Sequence, residues 1–196
     1  MYLIAGLGNP GLGYRNTRHN VGYRVISLWA RRLGVPVDNR RFRSRNTLTR
    51  FQDADVVLLR PQTFMNQSGR SIKACLDYYG INPKDLLVIH DDIDLPAGRL
   101  KVVSIGGSGG HKGVISIIDQ TGTREFTRLK IGVGRPRSGE SIEEYVLRPF
   151  YGEERKIMEE VTRISVRACE LFISEGVDSA MNQINWQNIG DKEGIY

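Results

Sequence analysis

Cysteine is scarce in this chain: Cys75 and Cys169 are the only two in 196 residues. That excludes a disulfide framework and a cysteine-built metal site. Both sit in helical-looking apolar context and read as buried, reduced core residues. Histidine is nearly as scarce, with His19, His90 and His111 and no His-x-x-x-His spacing, so no metal and no other cofactor are expected. No apolar run approaches the roughly 20 residues of a bilayer span. The first residues lack the charged segment, apolar stretch and small-residue cleavage site of a secretory leader. A cytoplasmic location without a membrane partner is therefore expected. A G-x-S-x-G nucleophile motif is missing too, which favours direct attack by water over an acyl-enzyme route.

What the chain has is basic charge, with 28 Lys and Arg against 22 Asp and Glu, a net charge of +6. Arg31, Arg32, Arg40, Arg41, Arg43, Arg45 and Arg50 crowd one stretch. Arg99, Lys101, Lys112, Arg124, Arg128, Lys130, Arg135 and Arg137 crowd another, while acids collect between Glu140 and Glu160. This distribution fits a polyanionic partner, with a merely solvated surface as the alternative.

The chain is organised around Gly6-Leu7-Gly8-Asn9-Pro10-Gly11 and the Thr17-Arg18-His19-Asn20 that follows. Tyr2-Leu3-Ile4-Ala5 reads as a short strand stopped by the glycines and proline. Apolar residues at helical spacing from Val21 to Leu33 predict a helix ended by Gly34, and Ser68 to Tyr79 predicts another, closed by Gly80. Thr47 to Phe51 and Val56 to Leu59 read as a hairpin. Leu86-Leu87-Val88-Ile89 is a continuous apolar run, as in a parallel strand covered on both faces, and it leads directly into His90-Asp91-Asp92. Arg99 to Ile105 and Thr127 to Val133 are further strands, the second alternating polar and apolar. The Gly106 to Gly110 loop precedes a helix from Lys112 to about Gln120. Tyr151 to Ser174 and Val177 to Ile184 complete the helices, with residues 188–196 expected to fray. Alternating strands and helices without a linker predict one α/β domain over 1–187, a twisted mixed sheet flanked by helices.

In such a sheet the loops at neighbouring strand ends converge on one crevice. Asn9, His19, Asn66, Asp91 and the loop up to Lys112 are expected there. One His, one carboxylate and side-chain amides suit attack by an activated water on an acyl centre. His19 takes the role of general base, Asp91 orients it, and Asn9 donates to the oxyanion. Gly6, Gly8 and Gly11 also satisfy G-x-G-x-x-G, but the acidic residue expected about 20 positions on is replaced by Arg31 and Arg32, which disfavours a dinucleotide site.

Several of these segments together resemble the bacterial peptidyl-tRNA hydrolase family. They are Gly6 to Gly11, Tyr14, Thr17 to Asn20, Pro61-Gln62-Thr63-Phe64-Met65-Asn66-Gln67-Ser68-Gly69, His90 to Pro96 and Gly109-Gly110-His111-Lys112-Gly113. The resemblance runs from Met1 to about Trp186. It implies a monomeric, metal-independent esterase of phosphorylase/hydrolase-like fold that frees tRNA from peptide after abortive translation. It places the catalytic histidine at His19, its partner at Asp91, and the positioning asparagines at Asn9 and Asn66. Tyr14, Phe64, Met65 and His111 are expected along the cleft. Family members often carry Asn after Gly-Gly-His; here the residue is Lys112, and altered substrate affinity is expected. Lys130 matches one of two basic residues that hold the tRNA 5′-phosphate. The other position falls on Val103, and Lys101 or Arg128 is expected to stand in. The alternative is a non-catalytic RNA-binding protein on the same fold, like plant organellar intron-splicing relatives.

Overall fold

The computed structural model describes residues 1–136, 139–187 and 189. The strands are β1 (Tyr2–Gly6), β2 (Ser44–Phe51), β3 (Ala54–Pro61), β4 (Leu86–Asp92), β5 (Leu100–Val103) and β6 (Thr127–Gly132). The helices are α1 (Val21–Arg32), α2 (Ser68–Tyr79), α3 (Lys112–Thr121), α4 (Ile142–Val146), α5 (Gly152–Ser174) and α6 (Val177–Ile184). They form a single domain around one six-stranded sheet of order β2-β3-β1-β4-β6-β5. The pairs β1–β3, β1–β4 and β4–β6 are parallel, and the edge pairs β2–β3 and β5–β6 are antiparallel.

Both sheet faces are covered, which explains why Leu86 to Ile89 shows no alternation. Ile4, Leu58, Leu87 and Ile89 pack under α1, α5 and α6. Leu3, Ala5, Val57 and Val88 face the other way, toward α2 and α3. Cys75 and Cys169 are free and buried, one in each cluster. A pair of glycines lets α1 approach β1 closely. A Cβ on Gly6 would lie 2.2 Å from the Gly22 carbonyl oxygen, and one on Gly22 would lie 2.4 Å from that of Ile89. This contact sets the start of α1, and with it the turn carrying His19, against the carboxyl ends of β1 and β4.

The structure differs from the sequence-based expectation in four places. Strand β4 runs on through Asp92 because His90 and Asp91 pair with Lys130 and Ile131 of β6, so Asp91 sits in a strand and not in the loop after it. Strand β5 is only four residues long. The five-residue α4, capped by the Ser141 hydroxyl accepting from the Glu144 N–H, had no counterpart in the sequence pattern. In β6 the polar Thr127 and Arg128 are buried, Arg128 fully, and Lys130 is half-buried. Of the expected tail 188–196, only Ile189 is among the described residues. Its side chain is buried and its N–H donates to the Gly98 carbonyl (3.3 Å). Arg137 also lies outside the described residues.

Candidate active site

The loop after β1 is held by reciprocal bonds with the turn before α1. Asn20 accepts from the Asn9 N–H through Oδ1 (2.9 Å) and donates through Nδ2 to the Asn9 carbonyl (2.9 Å). The Asn9 side chain in turn accepts from the Met65 N–H at 2.8 Å, tying the β1 loop to the turn after β3. With Oδ1 committed, the Asn9 amide is oriented so that its NH2 is left for a ligand.

His19 occupies the short helical turn Arg18–Asn20. Arg18 anchors that turn: it is buried, donates to the Pro149 carbonyl (2.7 Å), pairs with Glu154 (2.6 Å) and stacks on Tyr145 and Phe150. His19 Nδ1 lies 2.8 and 3.0 Å from the two Asp91 carboxylate oxygens. His111 Nε2 lies 3.0 Å from Asp91 Oδ1, while its Nδ1 accepts from the Val114 N–H (3.3 Å). That second bond fixes His111 as the Nε2–H tautomer, so it donates to Asp91. His90 Nδ1 donates to the Asp91 carbonyl at 2.7 Å. Asp91 is therefore addressed by all three histidines, two at its carboxylate and one at its backbone.

The electrostatics follow from burial and these contacts. Burial pushes the Asp91 carboxyl up, but His19 and His111 together bring it well below the usual carboxylate range. Burial pulls His19 down and Lys112 adds to that. The Asp91 charge and hydrogen bond more than offset both, and His19 ends above its ordinary value. Burial, with His111 beside it, lowers His90 to about 3 and keeps it neutral, although Asp91 and Asp92 pull the other way.

A cavity of about 370 Å³ opens over this cluster. Asn9, His19, Asn66, Asp91, His111 and Lys112 line it, together with the apolar Phe64, Met65, Ile93, Ile142, Val146 and Leu147. Of the residues expected at the site, Tyr14 is half-buried and does not line this cavity. His111 lines the cavity, with its Nε2 turned to Asp91. Lys112 forms an ion pair with Glu143 of α4, so two exposed side chains bridge the first residue of α3 to α4 beside the cleft. Lys101 and Lys130 lie opposite one another across β5 and β6. Lys130 is paired with Asp92 (2.7 Å) and Lys101 is exposed. Arg128, the alternative to Lys101 at the second phosphate position, is buried on Phe126 with Nη2 donating to the Gly106 carbonyl (2.7 Å). Asn20, Arg18 and His90 were legible only as neighbours of the motif residues, and their bracing roles had no separate signal. The donor atoms of His19, Asp91 and His111 lie within 4.8 Å of one another, as a metal's ligands would. Here hydrogen bonds to the Asp91 carboxylate already engage them.

The family model for peptidyl-tRNA hydrolase matches residues 3–192. The chain belongs to the peptidyl-tRNA hydrolase family. A peptidyl-tRNA hydrolase of Desulfitobacterium hafniense is 46% identical over 94% of this chain and 100% of its own length. The Bacillus subtilis enzyme is 42% identical over 94% and 98%. Crystalline peptidyl-tRNA hydrolase from Acinetobacter baumannii superposes with a TM-score of 0.91 at 34% identity, covering 96% of both chains. Peptidyl-tRNA hydrolase chemistry, cleavage of the ester joining peptide to tRNA, is thus the reaction of this fold and site. The non-catalytic RNA-binding alternative is not favoured. Among the described residues no helix is long and apolar enough to cross a membrane.

Proposed function

We propose that His19 is the general base of this hydrolysis and that Asp91 orients it. The observation that carries the reading is the contact of His19 Nδ1 with both Asp91 oxygens, at 2.8 and 3.0 Å, in the wall of the cleft. Nδ1–H donates to the carboxylate, and Nε2 keeps the lone pair that takes a proton from water. As hydroxide adds to the ester carbonyl, the buried Asp91 charge stabilises the imidazolium, and the Asn9 NH2 donates to the developing oxyanion. The proton on His19 then passes to the departing ribose oxygen.

Asn66, exposed at the rim, positions the acyl group, with Phe64 and Met65 as its apolar contacts. His111 acts through Asp91, holding the carboxylate in place. Tyr14 contributes at the edge of the substrate path. Lys101 and Lys130 hold the tRNA 5′-phosphate on the acceptor stem. Buried Arg128, with Nε and Nη1 unpartnered, adds positive potential beneath them. The protein acts in the cytoplasm as a monomer of one domain, with no cofactor. Phosphate contacts remote from the ester give specificity for tRNA over small esters, because they position the substrate without taking part in the chemistry.

The test is release of N-acetyl-amino acid from N-acetyl-aminoacyl-tRNA by wild-type protein and by His19→Ala. Turnover lost with tRNA affinity retained supports the assignment. Turnover retained with affinity lost removes His19 from the base role.

A further inference from the structure

A second cavity, of about 860 Å³, adjoins the catalytic cleft at Asn9, which lines both. It is built between the β1 loop, α1, the β2–β3 hairpin and α5. Six arginines line it, Arg15, Arg24, Arg31, Arg45, Arg60 and Arg163, against one carboxylate, Glu159. Arg163 pairs with Glu160 at 2.8 Å, and Glu159 is shared with Arg155 at 3.6 Å. Among the described residues the other five arginines have no carboxylate within 4.0 Å.

Their partners are neutral where they have any. Arg60 donates to the Ser27 hydroxyl (2.9 Å) and the Val37 carbonyl (3.2 Å), and its buried Nε has no partner. Arg45 donates to the Asp38 carbonyl at 3.1 Å. Burial lowers the guanidinium pKa of both Arg24 and Arg60. Glu159 and Tyr23 respectively oppose that, while Arg155 and Arg45 add to it. Six converging cations facing one lining carboxylate, Glu159, repel one another, and a bound anion relieves that repulsion. Arg40, Arg41 and Arg43, just before β2, and Arg50 within it are also exposed.

We infer that this arginine groove binds backbone phosphates of the tRNA part of the substrate, so that RNA is held beside Asn9 as well as at the β5–β6 edge. The inference rests on the hydrolase reading, which makes RNA one half of the substrate. Arginines spread along a groove suit a ligand whose charge recurs along its length whatever its sequence. The phosphodiester backbone has that property, and the peptide on a stalled tRNA does not. The apolar neighbouring cleft, with Phe64, Met65, Ile142 and Val146, suits the acyl group instead. Guanidinium forks match phosphate geometry, and phosphate contacts position a nucleic acid without reading its sequence.

The test uses Arg15 and Arg31, which are exposed and whose side chains make no hydrogen bond or ion pair among the described residues. Binding of fluorescein-labelled deacylated tRNA is followed by anisotropy across a salt series for wild type, Arg15→Gln/Arg31→Gln and Arg15→Lys/Arg31→Lys. The Gln pair is expected to lower the slope of log affinity against log salt by about 1.4, at about 0.7 per contact on a single strand. The Lys pair, which keeps the charge, is expected to restore the slope. An unchanged slope in the Gln pair overturns the inference, as does an equal loss in both pairs. A labelled polyglutamate peptide that loses affinity in the Gln pair while tRNA does not also overturns it, in favour of an acidic peptide. Failure of the hydrolase reading itself shows separately, as wild-type protein that binds tRNA but releases no N-acetyl-amino acid.

Discussion

Replacing Asp91 by Asn keeps the shape of the side chain and removes its charge. In the wild type, Oδ1 accepts from both His19 (2.8 Å) and His111 (3.0 Å), and Oδ2 stands 3.0 Å from His19 Nδ1. An amide offers one acceptor oxygen. If that oxygen takes the Oδ1 position, both histidines keep their acceptor but the NH2 faces the His19 N–H. If the amide is turned, its NH2 donates to His19 Nδ1, and the ring carries its proton on the nitrogen needed to accept from water. Two unit charges about 4 Å apart interact by about 4 kcal/mol at an effective dielectric of 20. The imidazolium is only partly formed in the transition state, so about half of this, ~2 kcal/mol, is expected in the barrier. That corresponds to a loss of roughly 30-fold in kcat. His19→Ala should cost more, about 10³-fold, since the base is then absent. The acid limb of kcat/KM against pH should also move. His19 lies above 6.5 because Asp91 outweighs burial and Lys112; without the carboxylate only the lowering influences remain. The base form then persists to lower pH, and the limb shifts down. Steady-state hydrolysis of N-acetyl-aminoacyl-tRNA from about pH 5 to 9 reads both effects. An unmoved acid limb, or a loss larger than that of His19→Ala, refutes the reasoning.

Other perturbations reach different parts of the account. Gly22→Ala forces a Cβ to within 2.4 Å of the Ile89 carbonyl oxygen and 2.5 Å of the Leu7 nitrogen, and should destabilise the fold by about 3 kcal/mol in urea unfolding; a cost near zero would mean α1 does not set the position of the His19 turn. Excess chelator should leave turnover intact, because hydrogen bonds to the Asp91 carboxylate engage His19 and His111; loss of turnover restored by added metal contradicts this. Glu143→Gln releases Lys112 from its ion pair. The uncompensated ammonium then lowers His19 further, and the acid limb should move to lower pH, with no movement counting against a Lys112–His19 interaction.

Much of this was legible in the sequence because local chemistry and global fold agree. Helix α2 begins at Ser68 and ends at Tyr79 as the pattern requires, closed by Gly80 at φ 63°. The β2–β3 hairpin and the crevice shared by Asn9, His19, Asn66 and Asp91 were equally readable, since loops at the ends of parallel strands converge. What was hidden depends on partners distant in sequence. Three polar residues, His90 to Asp92, do not read as strand, yet pairing with β6 and the bonds among the histidines satisfy them there. Arg128 alternates with apolar residues as a solvated side chain does. Its burial follows from Phe126 and the Gly106 carbonyl, which no spacing rule supplies. The bracing of Asn9 by Asn20 requires two loops to meet, and α4 is too short for helical periodicity to reveal.

The most direct measurement is the tautomer and titration of the His19 ring by nitrogen NMR in the unliganded protein. The account requires a midpoint above 6.5 and, in the neutral ring above that midpoint, the proton on Nδ1 with Nε2 unprotonated. A ring protonated on Nε2, or a midpoint below that value, would contradict it.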